Sequence, residues 1–263
     1  VMGLHEVTPL VLTVLVGAAF LAGWVDAVVG GGGLIQLPSL LVGLPASTPV
    51  ATVSGTNKIS SFAGTLVASA TFIRSVALGW PSALTIMVSA YAGSTAGARI
   101  VQYLPRRWFT PLILVVLIGV GVFMWRRPAL GLRDEVRHHG AGRLWRLGAI
   151  GLTIGVYDGA VGPGTGTFFV IALVALIGYG FLEASALAKL ANLATNLGAI
   201  VVFAVHRQIL WAVGLPMAAA NLLGGFIGAR MAIRHGSGFV RRIFFLTVIA
   251  LGVKLAIDTV RMF

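Results

Sequence analysis

Residues 23–38 read GWVDAVVGGGGLIQLP, and residues 155–169 read GVYDGAVGPGTGTFF. Each stretch sets an aspartate, Asp26 or Asp158, shortly before a glycine cluster that separates two apolar runs. Glycine costs backbone entropy in a helix and proline has no N–H, so both clusters oppose a continuous helix. Inside a bilayer, backbone without helical partners survives only where protein or a water-filled cavity covers it. Two such breaks at matched positions point to the binding site of a transporter.

The rest of the chain has the composition that such breaks require. Of its 263 residues 58% are hydrophobic and 10% are charged, and the mean hydropathy is +0.98. A soluble protein of this size needs far more polar surface, so the chain reads as a polytopic, all-α membrane protein. The 35 glycines suit close helix packing as well as broken helices. A net charge of +12 suggests nucleic acid in a soluble protein. Here the arginines line loops facing anionic lipid, and no basic, aromatic-studded soluble domain is present to hold a nucleic acid. The N-terminal VMGLHEVTP has no basic leader, so the first run is read as an uncleaved span.

Apolar runs come in ten pieces, at 7–29, 34–44, 50–73, 80–103, 108–125, 144–161, 168–179, 184–205, 210–233 and 240–260. Most reach the ~20 residues that a spanning helix takes. The second and seventh reach only about 17 Å at ~1.5 Å per residue. They read as half-spans, re-entrant pieces, or the far halves of broken helices. Between the fifth and sixth runs lies the one long polar stretch, residues 126–143, RRPALGLRDEVRHHGAGR.

The two sides of this linker are copies. AGSTAGARIV at 92–101 answers LGGFIGARMA at 223–232. Arg230 follows Arg99, Trp211 follows Trp80 and Phe203 follows Phe72, each by 131 positions, and Asp158 follows Asp26 by 132. The chain is therefore read as a tandem duplication: an N-terminal repeat at 1–125, a basic cytoplasmic linker at 126–143 and a C-terminal repeat at 144–263. With five crossings per copy, ten arginines fall on the linker side and four on the other. With four crossings the split is nine to five. The positive-inside rule favours five, which inverts the second copy relative to the first.

Polar residues inside spans are costly and ask for a reason. In the third run Asn57, Ser60, Ser61 and Gly64 follow helical spacing, with Lys58 beside Asn57 in line with Ser61. In the eighth, Lys189, Asn192, Thr195, Asn196 and Ala199 share a face. Facing each other, these stripes make a small cationic cage, which is chemistry for an anion. Lysine supplies charge, and amides and hydroxyls donate to oxyanion oxygens. Helix N-termini after the breaks offer free N–H groups at Gly31, Gly32, Gly33, Gly164, Thr165 and Gly166. Other readings stay open. Amide and hydroxyl faces also glue helices together, and Lys58 or Lys189 can snorkel to an interface. Asp26 and Asp158 can pair with a cation, cap a broken helix or carry protons. Arg99 and Arg230 read as interfacial anchors, with a gating or ion-pair role as the alternative.

Enzymes are disfavoured by the same inventory. There is no cysteine, no His pair at i, i+4 and no nucleophile–base set. GGGGL lacks the Lys and hydroxyl residue of a phosphate-binding loop, so no nucleotide site, metal or cofactor is expected.

Taken together, GWVDAVVGGGGLIQLP and GVYDGAVGPGTGTFF, with TNKISSFAGTL at 56–66, AKLANLATNLGAI at 188–200 and GAR in both halves, resemble the sulfite exporter TauE/SafE family. The resemblance covers essentially the whole chain. It implies a multi-pass permease of the bacterial inner membrane that moves small sulfur-containing anions, such as sulfite or sulfoacetate, often outward. The expected mechanism is alternating access at a midplane site between the repeats. A passive anion channel, or a permease for small carboxylates, is the alternative on the same scaffold. GxxxG-like spacings add the expectation of a homodimer.

Overall fold

The computed structural model describes residues 7–103 and 140–260. The fifth apolar run, at 108–125, and most of the basic linker lie outside these residues. Eight helices are present among them: α1 (Pro9–Val29), α2 (Gly33–Gly43), α3 (Val50–Ile73), α4 (Trp80–Ile100), α5 (Gly140–Ala160), α6 (Thr165–Ala172), α7 (Phe181–Val205) and α8 (Trp211–Val260). A π turn, Leu173–Ile177, extends α6. The expected ninth and tenth runs join in α8, interrupted at Gly236, whose φ of 69° and ψ of −169° are not helical.

Among the described residues, three segments are long and apolar enough to cross a membrane: Pro9–Val29, Phe181–Val205 and Trp211–Gly236. Helix α3 is as long, at 24 residues, but carries the polar stripe. Its Asn57, Lys58 and Ser60 are buried in the protein, as intramembrane polar groups must be.

The glycine breaks reverse the chain. Helix α1 ends on Gly30 in the left-handed conformation, φ 82°, which only glycine adopts without strain. Helix α2 then runs back along α1. A Cβ on Gly32 would touch the Ala22 carbonyl and Asp26, and one on Gly43 would touch Leu15 and Val11. The short segment is thus a returning piece and not the far half of α1. In the second half Gly162 and Gly164 take φ of 92° and 80°. Helix α6 returns along α5, with Phe168 edge-on to Tyr157 at 5.1 Å.

Glycines also set how the halves interlock. A Cβ on Gly224 would lie 2.0 Å from the Phe20 carbonyl oxygen, and one on Gly228 would lie 2.5 Å from that of Trp24. Helices α1 and α8 therefore run side by side in one direction, in backbone contact. Gly93 and Gly97 do the same to the carbonyls of Leu152 and Val156, at 2.3 and 2.1 Å, so α4 and α5 are parallel too. Small residues allow this approach where no hydrophobic force drives helices together. Gly224 follows Gly93, and Gly228 follows Gly97, by 131 positions, so the first helix of each half packs on the fourth of the other. Helix α3 runs parallel to α8, with Gly55 at Gln208 and Gly64 at Asn221. Helices α3 and α7 meet in opposite directions, Thr65 against Asn196 and Gly55 against Phe203.

Candidate functional site

The two glycine turns meet. Gly30 and Gly166 are in such close backbone contact that a Cβ on Gly30 would lie 2.2 Å from the Gly166 carbonyl carbon. The Thr167 N–H donates to the Gly30 carbonyl at 3.1 Å. Beside this junction lies a small polar hollow. Asp26, Gly30 and Gly33 border it from one turn, and Asp158, Gly162, Gly164, Thr165 and Gly166 from the other. Asn57, Lys58 and Ser61 of α3 and Asn192 and Asn196 of α7 close it. Its cavity volume is about 20 Å³, enough for a single water.

Both lysines are buried, Lys58 at 3% and Lys189 at 0% exposure; neither snorkels out of the protein. Each pairs with the aspartate of the opposite half. Lys58 Nζ lies 2.5 Å from Asp158 Oδ2, and Lys189 Nζ lies 3.0 Å from Asp26 Oδ2. Lys189 Nζ also donates to the Asp26 backbone carbonyl. The bare cationic cage expected from the sequence is therefore corrected. With all four groups ionised the set is neutral, because a buried charge must be paired. An anion gains a lysine here only by competing with a carboxylate.

Hydrogen bonds complete the shell. The Thr165 hydroxyl lies 2.6 Å from Asp158 Oδ1 and 2.7 Å from the Gly162 carbonyl. Asn196 Nδ2 donates to Thr65 Oγ1 at 3.2 Å, and that hydroxyl donates onward to the Ser61 carbonyl. Thr65 and Asn196 are 131 positions apart, so equivalent positions of the two halves touch here. The backbone N–H groups of Gly33 and Gly166, at the starts of α2 and α6, have no partner among the described residues.

Some expected residues stand apart from the hollow. Gly31 does not border it, and Gly32 packs on the α1 backbone. Thr195 turns inward, its hydroxyl on the Asn192 carbonyl at 2.9 Å, while Ser94 donates to the Thr195 carbonyl. Lys189 reaches the hollow only through Asp26. Ser60 and Gly64 face Gln36 and Asn221. Arg99 and Arg230 are exposed and do not border the hollow; Arg230 stacks on Phe226 at 4.0 Å. Sequence reasoning passed over Gln36 and Asn221, which are 0% and 3% exposed. The available signal was a lone amide inside each apolar run, LIQLP and AAANLL.

Comparison with known proteins places this architecture. The family profile described as sulfite exporter TauE/SafE matches residues 15–255. The "Probable membrane transporter protein YfcA" of Escherichia coli strain K12 is 32% identical over 259 residues, covering 97% of this chain and 93% of the relative. A "Probable membrane transporter protein" of Haemophilus influenzae is 32% identical over 247 residues, covering 94% and 95%. "Probable membrane transporter protein ORF9" of a Sinorhizobium species is 33% identical over 247 residues, covering 94% and 93%. No solved structure matches.

Proposed function

Because this chain belongs to the sulfite exporter TauE/SafE family, and is on that account a multi-pass membrane transporter and not an enzyme, we propose that it carries a small oxyanion through the hollow between its halves. The cargo class is sulfite or an organosulfonate such as sulfoacetate. The direction is outward across a bacterial inner membrane, and the mechanism is alternating access. The observation that carries this reading is the hollow bordered by Lys58, Asn57, Ser61, Asn192 and Asn196, with the second buried lysine, Lys189, paired to the Asp26 that borders it.

Sulfite and sulfonates spread their charge over three oxygens. Ammonium groups and amide N–H donors bind such oxygens with charge-assisted hydrogen bonds. The Gly33 and Gly166 N–H groups add backbone donors at helix starts, where the dipole favours an anion. Each ion pair bridges the halves, so a substrate that takes an ammonium from its aspartate also loosens the halves from each other. Relative motion of the halves then exposes the site to one side or the other. Helix directions support an inverted relation between them: α1 and α3 run with α8, while α4 and α5 run with each other and α7 runs against α3. The hollow's size favours a carrier over an open pore, since one with room for a single water conducts nothing until it opens. An inside-negative potential drives a monoanion outward by about 2.3 kcal/mol per 100 mV, so export needs no coupling ion.

The test is flux of sulfite and of sulfoacetate in proteoliposomes holding the full chain. Lys58→Ala is expected to lower both by a hundredfold or more while the protein stays monodisperse in detergent. Lys58→Ala/Asp158→Asn, which leaves no unpaired charge, should be equally inactive. Undiminished flux in either variant overturns the role given to Lys58.

A further inference from the structure

Gln36 is the most connected side chain near the hollow, yet it does not border it. It sits on α2, fully buried. Its Nε2 donates to the Asn57 backbone carbonyl at 3.1 Å and to Asn57 Oδ1 at 2.8 Å. Its Oε1 accepts from Ser60 Oγ at 3.1 Å and from Asn221 Nδ2 at 2.7 Å. Asn221 Nδ2 also donates to the Ala19 carbonyl at 3.0 Å. The relay thus runs from α1 through α8 and α2 to α3.

The polarity of this relay is set by its fixed ends. A backbone carbonyl only accepts, so the end of Gln36 beside the Asn57 carbonyl must be the amide nitrogen. The same argument at the Ala19 carbonyl turns the Asn221 nitrogen inward, and its second hydrogen meets Gln36 Oε1. Exchange of oxygen and nitrogen at Gln36 would put two acceptors face to face at Asn57 and two donors face to face at Asn221. Asn57 is then fixed as well, with Oδ1 held by Gln36. Its Nδ2 has no hydrogen-bond partner among the described residues, and Asn57 borders the hollow.

We infer that the Asn221–Gln36 relay holds Asn57 with its N–H donors toward the hollow, making Gln36 a positioning residue for anion binding. This rests on the transport reading above. A side-chain amide free to rotate must give up that freedom to present its nitrogen to an anion, and one held in place already presents the donor. The second half has no such relay. The positions corresponding to Gln36, Asn57, Ser60 and Asn221 are Phe168, Ala188, Ala191 and Ala90. The first half therefore supplies the pre-oriented donor, and the second half supplies Asn192 and Asn196 without this constraint.

The test is a double-mutant cycle on sulfite flux in proteoliposomes, with Gln36→Met, Asn57→Ala and the pair together. Gln36→Met keeps the side-chain length and removes every hydrogen bond. It is expected to raise KM for sulfite about tenfold with Vmax within twofold of wild type. Asn57→Ala should raise KM at least as much, and Gln36→Met should add nothing in that background. A residue that only supports the fold would lower the active fraction, and so Vmax, and would do so in both backgrounds. Where Gln36→Met is not monodisperse in detergent, Gln36→Leu, which is uncharged and also makes no hydrogen bond to Asn57, takes its place with the same expectation. Additive effects on KM, or an unchanged KM in the single variant, overturn the relay alone. Absence of saturable sulfite and sulfoacetate flux in the wild type overturns the transport reading and the relay with it.

Discussion

Lys58 meets Asp158 at 2.5 Å with the carboxylate side chain 2% exposed, whereas Lys189 meets Asp26 at 3.0 Å with the carboxylate 14% exposed. The parts are equivalent, because Lys189 follows Lys58 by 131 positions and Asp158 follows Asp26 by 132. The surroundings differ. Thr165 gives Asp158 a hydroxyl, and the corresponding position in the first half is Gly33, which has none. Lys189 in turn has a second acceptor in the Asp26 backbone carbonyl. Both pairs touch the hollow, the first through Lys58 and Asp158 and the second through Asp26 alone. The first is held by side chains only, and the second has the more exposed carboxylate and is held partly by backbone. Residues at matched offsets in the chain thus make two ion pairs that differ in length, exposure and supporting partners.

The largest test of this contrast is removal of each carboxylate. Asp158→Ala leaves Lys58 buried without its partner, which costs about 3–5 kcal/mol. Asp26→Ala leaves the backbone carbonyl in place for Lys189 and should cost less, about 1.5–3 kcal/mol, the scale of a lost hydrogen bond to a charged group. Tryptophan fluorescence during denaturation in detergent measures both. Equal losses would break the comparison, and a larger loss at Asp26 would reverse it.

The glycine turns differ in the same graded way. Gly30 and Gly162 correspond, and both have positive φ. A Cβ on Gly30 strikes the Gly166 and Thr167 backbone at 2.2 and 2.5 Å, whereas one on Gly162 meets the Asp158 carbonyl oxygen at 3.5 Å and Lys58 Nζ at 3.7 Å. Gly162→Ala therefore costs only the left-handed conformation, about 1–2 kcal/mol. Gly30→Ala adds an overpacking cost of about 1–3 kcal/mol and pushes the two turns apart. Thermal unfolding of the two variants should rank them in that order. A milder Gly30→Ala would show that the turns separate without cost.

These contrasts also mark what the sequence could disclose. The Asp-plus-glycine breaks were legible because glycine and proline act locally, and the lysine and amide stripes were legible because helical spacing is fixed. The exchange of partners was not: nothing near Lys58 in the chain identifies Asp158, 100 positions away, as its counter-ion. Nor could spacing show which residues of one stripe share a neighbour. Asn57 and Ser61 turn to the hollow, while Ser60 and Gly64, on the same broad face, turn to Gln36 and Asn221. Gln36 and Asn221 were hidden for the opposite reason, since a single amide in an apolar run carries no periodicity. The return of α2 along α1 follows from the φ of Gly30, and composition permits that value without requiring it.

The smallest and most specific test is Thr165→Ala, which gives the second half the first half's lack of a hydroxyl. The cavity changes little, because only one oxygen and one methyl group are removed, but Asp158 Oδ1 loses its 2.6 Å donor. The expected cost is about 1.5–3 kcal/mol, the scale of a hydrogen bond to a charged group. Combined with Asp158→Ala, the substitution should add almost nothing, because the hydroxyl acts on stability through that carboxylate. If Thr165→Ala costs the same with and without Asp158, the hydroxyl serves the Gly162 turn, to which it is also bonded at 2.7 Å. The tighter closure of the Lys58 pair would then need a different cause, and the burial of Asp158 between α5 and the turn that follows it would be the remaining one.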